Sequence, residues 1–419
     1  MMIQKPKGTK DIYGADVQLY RHIFATFATV ARSFNLQELI TPILEAYELF
    51  HTTTGATSDI ITKELYRLTD LGGRQLALRP EGTAPVGRAI IENQLYQTRR
   101  YNKLYYSGPM FRYENPQKGR LRQFYQIGVE LVNELSCYSI LESILIATTF
   151  LDRLQIGSYK LVINSLGTAP ERQAYIAALQ TYFTTHRAAL STASQRRIAT
   201  NPLRILDDKI DSKLDVVKQA PTIEQFWSAA TRTEFNQLLD LLAGLNIPYE
   251  IDYGLVRGLD YYSNVVYELV ADSPALGAKA TLIGGGCYLD LVRSAPHPIN
   301  GVGFGCGVER VFEILKTTAI AAPPGVDAYF LLETPDQYPQ VLPVIQQLRH
   351  RDYTIEFNYQ FRKYKKLFQY ARDLQAQVVV FQEPAQRTHP LWTIKTAQQN
   401  LVVSQAELVS TITALLQAK

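Results

Sequence analysis

Apolar residues return every three to four positions at Leu19, Ile23, Phe27, Val30 and Phe34, the period of one helical face. The spacing predicts a helix that Asp16 can cap. LQELITPILEAYELF follows, an apolar run interrupted by Pro42, which reads as a strand that is broken or held at an edge. Such a helix and broken strand suit a dimer seam, and equally a helix packed on its own sheet. Leu65 to Leu78 predicts a hairpin turning at Gly72-Gly73. Pro85 to Ile91 turns helical, so Arg79-Pro80-Glu81-Gly82-Thr83 falls where strand passes to helix. Loops at strand ends are favoured sites for ligand groups, though a capped helix start explains the peptide as well.

Tyr105 to Glu130 reads YYSGPMFRYENPQKGRLRQFYQIGVE. Aromatic and β-branched bulk, a Gly108-Pro109 break, a basic loop and a returning apolar arm predict an antiparallel hairpin. Arg112 and Glu114 stand on the outgoing arm, Arg122, Gln126 and Glu130 on the returning one. Charges among aromatics are costly to bury without a partner. Ile140, Ile144, Ala147, Leu151 and Leu154 then give an amphipathic helix, and YKLVINSLG a strand. From about 168 to 245 the pattern is helical, an insertion containing the acidic run DDKIDSKLD, which reads as solvated surface. Strand signal resumes at 247–270 and 280–286. VGFGCGVERVFEIL reads as a glycine-rich strand turning into a helix that carries Arg310.

A Pro-Pro-Gly linker at 323–325 marks the best boundary. The chain therefore divides into a domain at 1–322 and a second at 325–419, whose strand–helix alternation predicts a small α/β fold. Arg362, Lys363, Lys365 and Lys366, with Tyr359, Phe361 and Tyr364, suit unstacked bases and phosphates; a solvated helix face accounts for them too.

Composition adds bounds. The chain has 419 residues, 46% hydrophobic and 20% charged, which supports two or three packed domains. A formal charge of +4 fits a nucleic-acid partner without demanding one. Cys137, Cys287 and Cys306 form no CxxC pair, which argues for a reducing compartment and against zinc or disulfides. No run is long enough to span a bilayer, and the first residues lack a signal-peptide core. A cytoplasmic protein is the expectation.

Arg112, Arg257 and Arg310 come from three distant strand regions. Guanidinium groups match phosphate oxygens bidentately, and three converging would neutralise a triphosphate. Phe124 offers a flat face for a purine. Glu81, Gln126, Glu130 and Tyr262 suit a substrate bearing an amine or an imidazole. Neither GxxxxGK[ST] nor GxGxxG occurs, so nucleotide binding would use a sheet and arginines.

KGTKDI, TPILE, SDIITKELY, LRPEGTAPV, the hairpin above, NSLG, NPLRILD, LVRGLDYY and VGFGCGVER together resemble the histidyl-tRNA synthetases, a class II aminoacyl-tRNA synthetase family, over nearly the whole chain. LVRGLDYY resembles a signature peculiar to the histidine enzymes. The resemblance implies an α+β fold, with a class II antiparallel sheet core, a helical insertion and an anticodon-binding-like C-terminal α/β domain. It implies activation of L-histidine by ATP, Mg²⁺ arriving with the nucleotide, transfer to tRNA(His), and a homodimer.

It further implies that Arg112 holds the α-phosphate and the substrate carboxylate. Arg310 would hold the γ-phosphate and cover the adenine, with Phe124 on its other face and Glu114 near its amino group. Arg257 would assist attack at the α-phosphorus. Glu81, Thr83 and Gln126 would hold the α-amino group, and Glu130 and Tyr262 the imidazole, with Tyr261 and Tyr288 in the same pocket. Gln117, Arg120 and Arg122 would approach the acceptor end of the tRNA. No metal ligands in the protein are expected.

Departures from the family pattern are specific. GGRYD reads Gly285-Gly286-Cys287-Tyr288-Leu289, RQFHQ has Tyr125, Asn115 replaces an arginine, and a GxxE turn reads Gln382-Glu383-Pro384-Ala385. Charges lost near the pocket floor would weaken histidine binding. An alternative is a synthetase-like paralogue serving as the regulatory subunit of ATP phosphoribosyltransferase. Arg257 speaks against it, since that group tends to lose the arginine.

Overall fold

The computed structural model describes residues 3–53, 60–208, 210–257, 261–276, 278–292, 297–317, 325–386 and 391–417. Pro323 and Pro324 of the expected linker lie outside these, as do Ser58, Asp59, Gly258, Leu259 and Asp260 of the matched motifs. Two compact units are formed, Met1–Ile320 and Ala321–Lys419.

α1 (Ala15–Ser33) buries Leu19, Ile23, Phe27 and Val30, each contributing roughly 1.5–3 kcal/mol of transfer free energy. Its N-cap is Gly14, at φ 60°, rather than Asp16. Asp16 sits inside the first turn and pairs with Lys10 at 2.9 Å and Lys316 at 3.2 Å, where its charge favours the helix dipole. Pro42 separates β1 (Gln37–Glu38) from β2 (Leu44–Ala46), which join different sheets. After α2 (Tyr47–Thr53), β3 (Arg67–Thr69) and β4 (Gln75–Leu78) form the hairpin, and β2 pairs with β4. Asp70 Oδ1 accepts from the Gly72 and Arg74 amides at 2.9 Å and shapes the turn. α3 (Thr83–Glu92) follows.

β5 (Lys103–Phe111) and β6 (Gln123–Val132) are the long hairpin, in register from Lys103 opposite Leu131 to Phe111 opposite Gln123. Gly108-Pro109 does not break β5. The Pro109 carbonyl turns away from β6 to accept Arg79 Nε at 3.0 Å, so the absent N–H falls on the side where β1 has already ended. α4 (Cys137–Arg153) starts at a Ser136/Ser139 capping box, and β7 (Tyr159–Ser165) follows.

The insertion comprises α5 (Ala169–Thr185), α6 (Thr192–Thr200), α7 (Leu203–Leu206), α8 (Asp215–Lys218) and α9 (Ala229–Gly244). Tyr175, Leu179, Phe183, Leu190 and Ile205 make a small core of their own. Phe235, Leu238 and Leu242 of α9 return to the main core. The acidic run is not simply solvated. Asp211 is 1% exposed and accepts from the Ser191 amide and hydroxyl at 3.0 and 2.7 Å, and Asp208 pairs with Arg197 at 2.8 Å.

β8 (Tyr249–Ile251), β9 (Tyr262–Ser273), β10 (Ala278–Tyr288), β11 (Gly301–Gly307) and α10 (Val308–Leu315) complete the unit. The main sheet runs β1-β5-β6-β11-β10-β9-β7-β8, parallel only at its two outer pairs. Ile127, Val129, Phe304, Cys306, Tyr267 and Leu269 pack with residues of α1, α4, α9 and α10 on one face. Strand alternation turns Gln126, Gly128, Glu130, Gly303 and Gly305 to the other.

The C-terminal unit holds β12 (Ala328–Phe330), α11 (Gln337–Arg349), β13 (Ile355–Phe357), α12 (Tyr364–Asp373), β14 (Val378–Phe381), β15 (Leu391–Lys395), β16 (Asn400–Ser404) and α13 (Leu408–Gln417). Its sheet order is β13-β12-β14-β15-β16, parallel among the first three strands and antiparallel at the last two. Gln382, at the altered turn, is buried and donates to the Leu391 carbonyl at 3.1 Å. Tyr359 and Phe361 are exposed. Tyr364 turns inward, its hydroxyl bonded to the Gln382 carbonyl and its ring against Phe381, so it is withdrawn from the basic cluster beside it.

Candidate active site

The uncovered sheet face is floored with glycines on β6, β10 and β11. A Cβ at Gly303 would overlap Glu130 Oε2, and one at Gly305 would overlap Gln126 Nε2. Both side chains therefore lie flat across the neighbouring strand. On the expectation that the family resemblance carries, Gly303→Ala should lift Glu130 out of place and raise the histidine KM by about tenfold or more with the ATP KM little changed; steady-state kinetics reads both.

Glu81 leads α3. Its two oxygens accept from the Thr83 amide at 2.6 Å and the Ala84 amide at 2.9 Å, satisfying orphan helix donors. Burial pushes its pKa up, opposed by those bonds and by Arg112. The peptide is held from behind by Arg79, 5% exposed, whose Nη1 donates to the Thr41 carbonyl and hydroxyl at 2.9 Å. Arg112 Nε donates to the Pro80 carbonyl at 2.8 Å, and its guanidinium lies 5.4 Å from the Phe124 ring centre.

Thr83 Oγ1 donates to Glu130 Oε1 at 2.7 Å. Glu130 is 1% exposed, and burial drives its pKa to about 8, with Thr83 opposing and the Glu81 charge adding. Around it, Glu130 Oε2, Gln126 Oε1 and the hydroxyls of Tyr106 and Tyr288 are buried without a hydrogen-bond partner of good geometry. Tyr261 and Tyr262 close the pocket, ring centres 4.7 Å apart, with Tyr261 6.2 Å from Tyr288. Buried unpaired polar atoms are uncommon in folded proteins and mark a ligand's place. They suit a small molecule that brings N–H groups to Glu130 and Gln126, with Tyr288 already close enough to Glu130 to act on its charge.

The raised pKa has a stability consequence. Glu130 moves from an ordinary 4.5 to about 8, so the folded state binds the extra proton. Its stabilising share is full below the unfolded pKa and is lost as pH rises through the folded one. Glu309, pushed by burial to about 7, acts in the same direction. The ligand-free protein should melt at progressively lower temperature from about pH 4.5 to about pH 8 and level off above that. Glu130→Gln should flatten the upper part of that slope in thermal melts, leaving the Glu309 part.

The other end of the face is cationic. Arg310 Nη1 donates to the Thr281 carbonyl. Burial and Arg120 lower its pKa, Glu268 and Glu114 oppose, and Arg112 adds to the lowering, so Arg310 lies within the field of both other arginines. Arg257 is buried to 19% side-chain exposure and pairs with Glu268. Its guanidinium lies 5.6 Å from the Tyr262 ring centre. Burial works against its charge, but Tyr262 and Glu268 more than offset that and raise its pKa.

At the hairpin tip Gln117 and Arg120 bridge each other around Gly119, at φ 72°, and Arg120 reaches Glu114 at 3.4 Å. Arg122 is engaged elsewhere. Its amide donates to the Gly8 carbonyl at 2.8 Å, and its guanidinium lies 3.8 Å from the Tyr113 ring centre. The GGCYL departures leave the pocket intact. Cys287 is fully buried in the helix-covered core, and Leu289 is half-exposed. Tyr288, which stands between them, faces the pocket side. Sequence reasoning missed Tyr106, Arg79, Thr281 and Glu268; the last had a signal, an acid inside the apolar run VVYELV.

A mostly antiparallel sheet with a long hairpin among its strands, arginines at one end of a face and buried carboxylates at the other, is the architecture of the class II aminoacyl-tRNA synthetases. A family model described as histidyl-tRNA synthetase matches residues 8–311. A histidine–tRNA ligase of Mesomycoplasma hyopneumoniae is 40% identical over 385 residues, 91% of this chain and 89% of the relative. That of Latilactobacillus sakei is 41% identical over 386 residues, with the same coverage. The crystal structure of the S. aureus apo histidyl-tRNA synthetase aligns with TM-score 0.79 at 30% identity, covering 98% of this chain and 100% of the other. The chain belongs to the histidyl-tRNA synthetase family.

Proposed function

We propose that this chain activates L-histidine with ATP and transfers it to the 3′ end of tRNA(His). A histidine carboxylate oxygen attacks the α-phosphorus, the bond to pyrophosphate breaks, and histidyl-adenylate forms. A terminal ribose hydroxyl of the tRNA then attacks the acyl carbon and releases AMP. The observation that carries this reading is the division of one sheet face into a carboxylate-and-tyrosine pocket and an arginine end. Glu81 and Gln126 sit where an α-ammonium and its neighbours would be held, and Glu130 Oε2 and Tyr288 where imidazole N–H and N would be read.

Arg112, against Phe124 and Pro80, is the residue best placed to serve both the α-phosphate and an adenine stacked on the phenyl ring. Arg257 and Arg310 supply fixed positive charge for the phosphates, and preorganised charge of this kind lowers the barrier to an in-line displacement. Glu114 stands by the adenine amino group, and Gln117 and Arg120 face the incoming acceptor end. Mg²⁺ would arrive on the phosphate oxygens. Among the described residues no three His, Cys, Asp or Glu side chains gather to hold a metal, and no step is assigned to the ion.

A homodimer is supported by exposed Ile40, Ile43 and Leu44 around Pro42, with Leu68 also exposed on another strand of the same small sheet; exposed apolar side chains in such numbers are a feature of protein interfaces. Binding of the anticodon by the C-terminal unit is supported by Tyr359 and Phe361 beside Arg362, Lys363, Lys365 and Lys366. Among the described residues no helix is long and apolar enough to cross a membrane. The regulatory-subunit alternative loses its sequence support, because Cys287 and Leu289 take no charge from the pocket. Charging of tRNA(His) with labelled histidine and ATP tests the function. Accumulation of acid-precipitable label on that tRNA is expected, and its absence with intact tRNA would refute the transfer step.

A further inference from the structure

Two arginines of the phosphate end are tied to a single carboxylate. Glu268 lies on β9 opposite Gly284 of β10. One of its oxygens pairs with the Arg257 guanidinium. The other accepts the Thr281 hydroxyl at 2.6 Å. The Thr281 carbonyl in turn accepts from Arg310. Thr281 stands at a register shift in the β9–β10 ladder, between Thr281 and Ile283, and such bulges re-aim groups next to functional sites. Gly284 keeps the path open, since a Cβ there would overlap the Arg257 guanidinium.

The chemistry of this carboxylate is at odds with a site built for affinity alone. A negative charge among cations subtracts from their attraction for a triphosphate. A largely buried ion pair is also weak evidence of added stability, because the desolvation of both charges offsets much of their attraction. What the arrangement does supply is direction: the planar fork of a guanidinium is fixed once one edge is held.

Resting on the reading of this site as one that activates an amino acid with ATP, we propose that Glu268 is a positioning residue for both arginines. It orients Arg257 directly and Arg310 through Thr281, so that the forks meet the phosphates already aligned. Its effects on binding and rate therefore oppose each other. Loss of its charge makes the site more positive for ATP but leaves Arg257 unaimed, and small misplacements of a catalytic group are costly in rate.

The test is Glu268→Gln, whose amide oxygen can still accept from Thr281, assayed as histidine-dependent exchange of pyrophosphate into ATP. The expected kcat is lower by on the order of 10²-fold. The ATP KM should be unchanged or lower and the histidine KM within about twofold of wild type, with a lower melting temperature but a protein still folded at the assay temperature. Glu268→Asp, which keeps the charge, should recover part of the kcat. Thr281→Val removes only the hydroxyl link and should lower kcat several-fold with the ATP KM unchanged. Wild-type kcat in Glu268→Gln would overturn the proposal. So would a rise of both KM values, which is the mark of a merely structural role. Exchange by the wild-type protein, measured first, separates these outcomes from failure of the ATP-activation reading, which would remove both.

Discussion

Arg257→Ala will cut the kcat of histidine-dependent pyrophosphate exchange by about 10²–10³-fold, the usual effect of removing one preorganised charge from a developing anionic centre. The guanidinium is held on three sides. Glu268 pairs with it, the Tyr262 ring lies 5.6 Å from it, and the absent side chain of Gly284 leaves it room. Water cannot replace it, because a water molecule brings neither a fixed charge nor a fork. The histidine KM should move less than the kcat, since Glu81, Gln126 and Glu130 remain in place. The fold should survive: the side chain is 19% exposed, and Glu268 keeps its bond to Thr281. Arg257→Lys, which retains charge without bidentate geometry, should fall between. Exchange kinetics with a parallel thermal melt check this, and undiminished kcat in Arg257→Ala would take Arg257 out of the mechanism.

Cys287→Arg gives the second large effect, on stability. It restores the residue usual in the family and yet should destabilise this chain by about 3–5 kcal/mol, the scale of a buried charge without a partner. Cys287 is fully buried, and its thiol is pushed to about 12 by that burial. It lies in the core built on Ile127, Val129, Phe304 and the helices. The nearby Tyr267 hydroxyl is already bonded to Ser143 at 2.5 Å, and the side chains packed in this core with Cys287 are apolar. Leu289→Asp, on a half-exposed position, should cost little. Thermal or urea unfolding of the two single variants separates them. A stable Cys287→Arg would mean that the core conceals an acceptor.

Much of the architecture was legible from periodicity. The α1 repeat, the strand-to-helix junction at Pro80 and the long hairpin follow from side-chain spacing, which is a local property. The charges of the hairpin stood out because charge among aromatics is conspicuous, but the roles of the carboxylates and arginines came from the family resemblance and not from the pattern. What escaped depends on non-local register. Tyr106 reads as an ordinary core aromatic until β5 is laid beside β6 and its hydroxyl falls next to Glu130 and Thr83. The link from Glu268 to Thr281 exists only through the β9–β10 pairing and its irregularity. The same pairing decides that Cys287 faces the helices and Tyr288 the pocket, a choice that a one-residue slip would reverse. Asp16 and Asp211 were misjudged for a related reason: their partners, Lys316 and Ser191, are distant in the chain.

The central claim is that one sheet face binds histidine at its carboxylate end and ATP at its arginine end. The most direct measurement is exchange of labelled pyrophosphate into ATP by the purified protein, with each amino acid offered in turn. Label should enter ATP with histidine and stay at background with the others. Background exchange with histidine, from protein that still binds histidine, would contradict the claim.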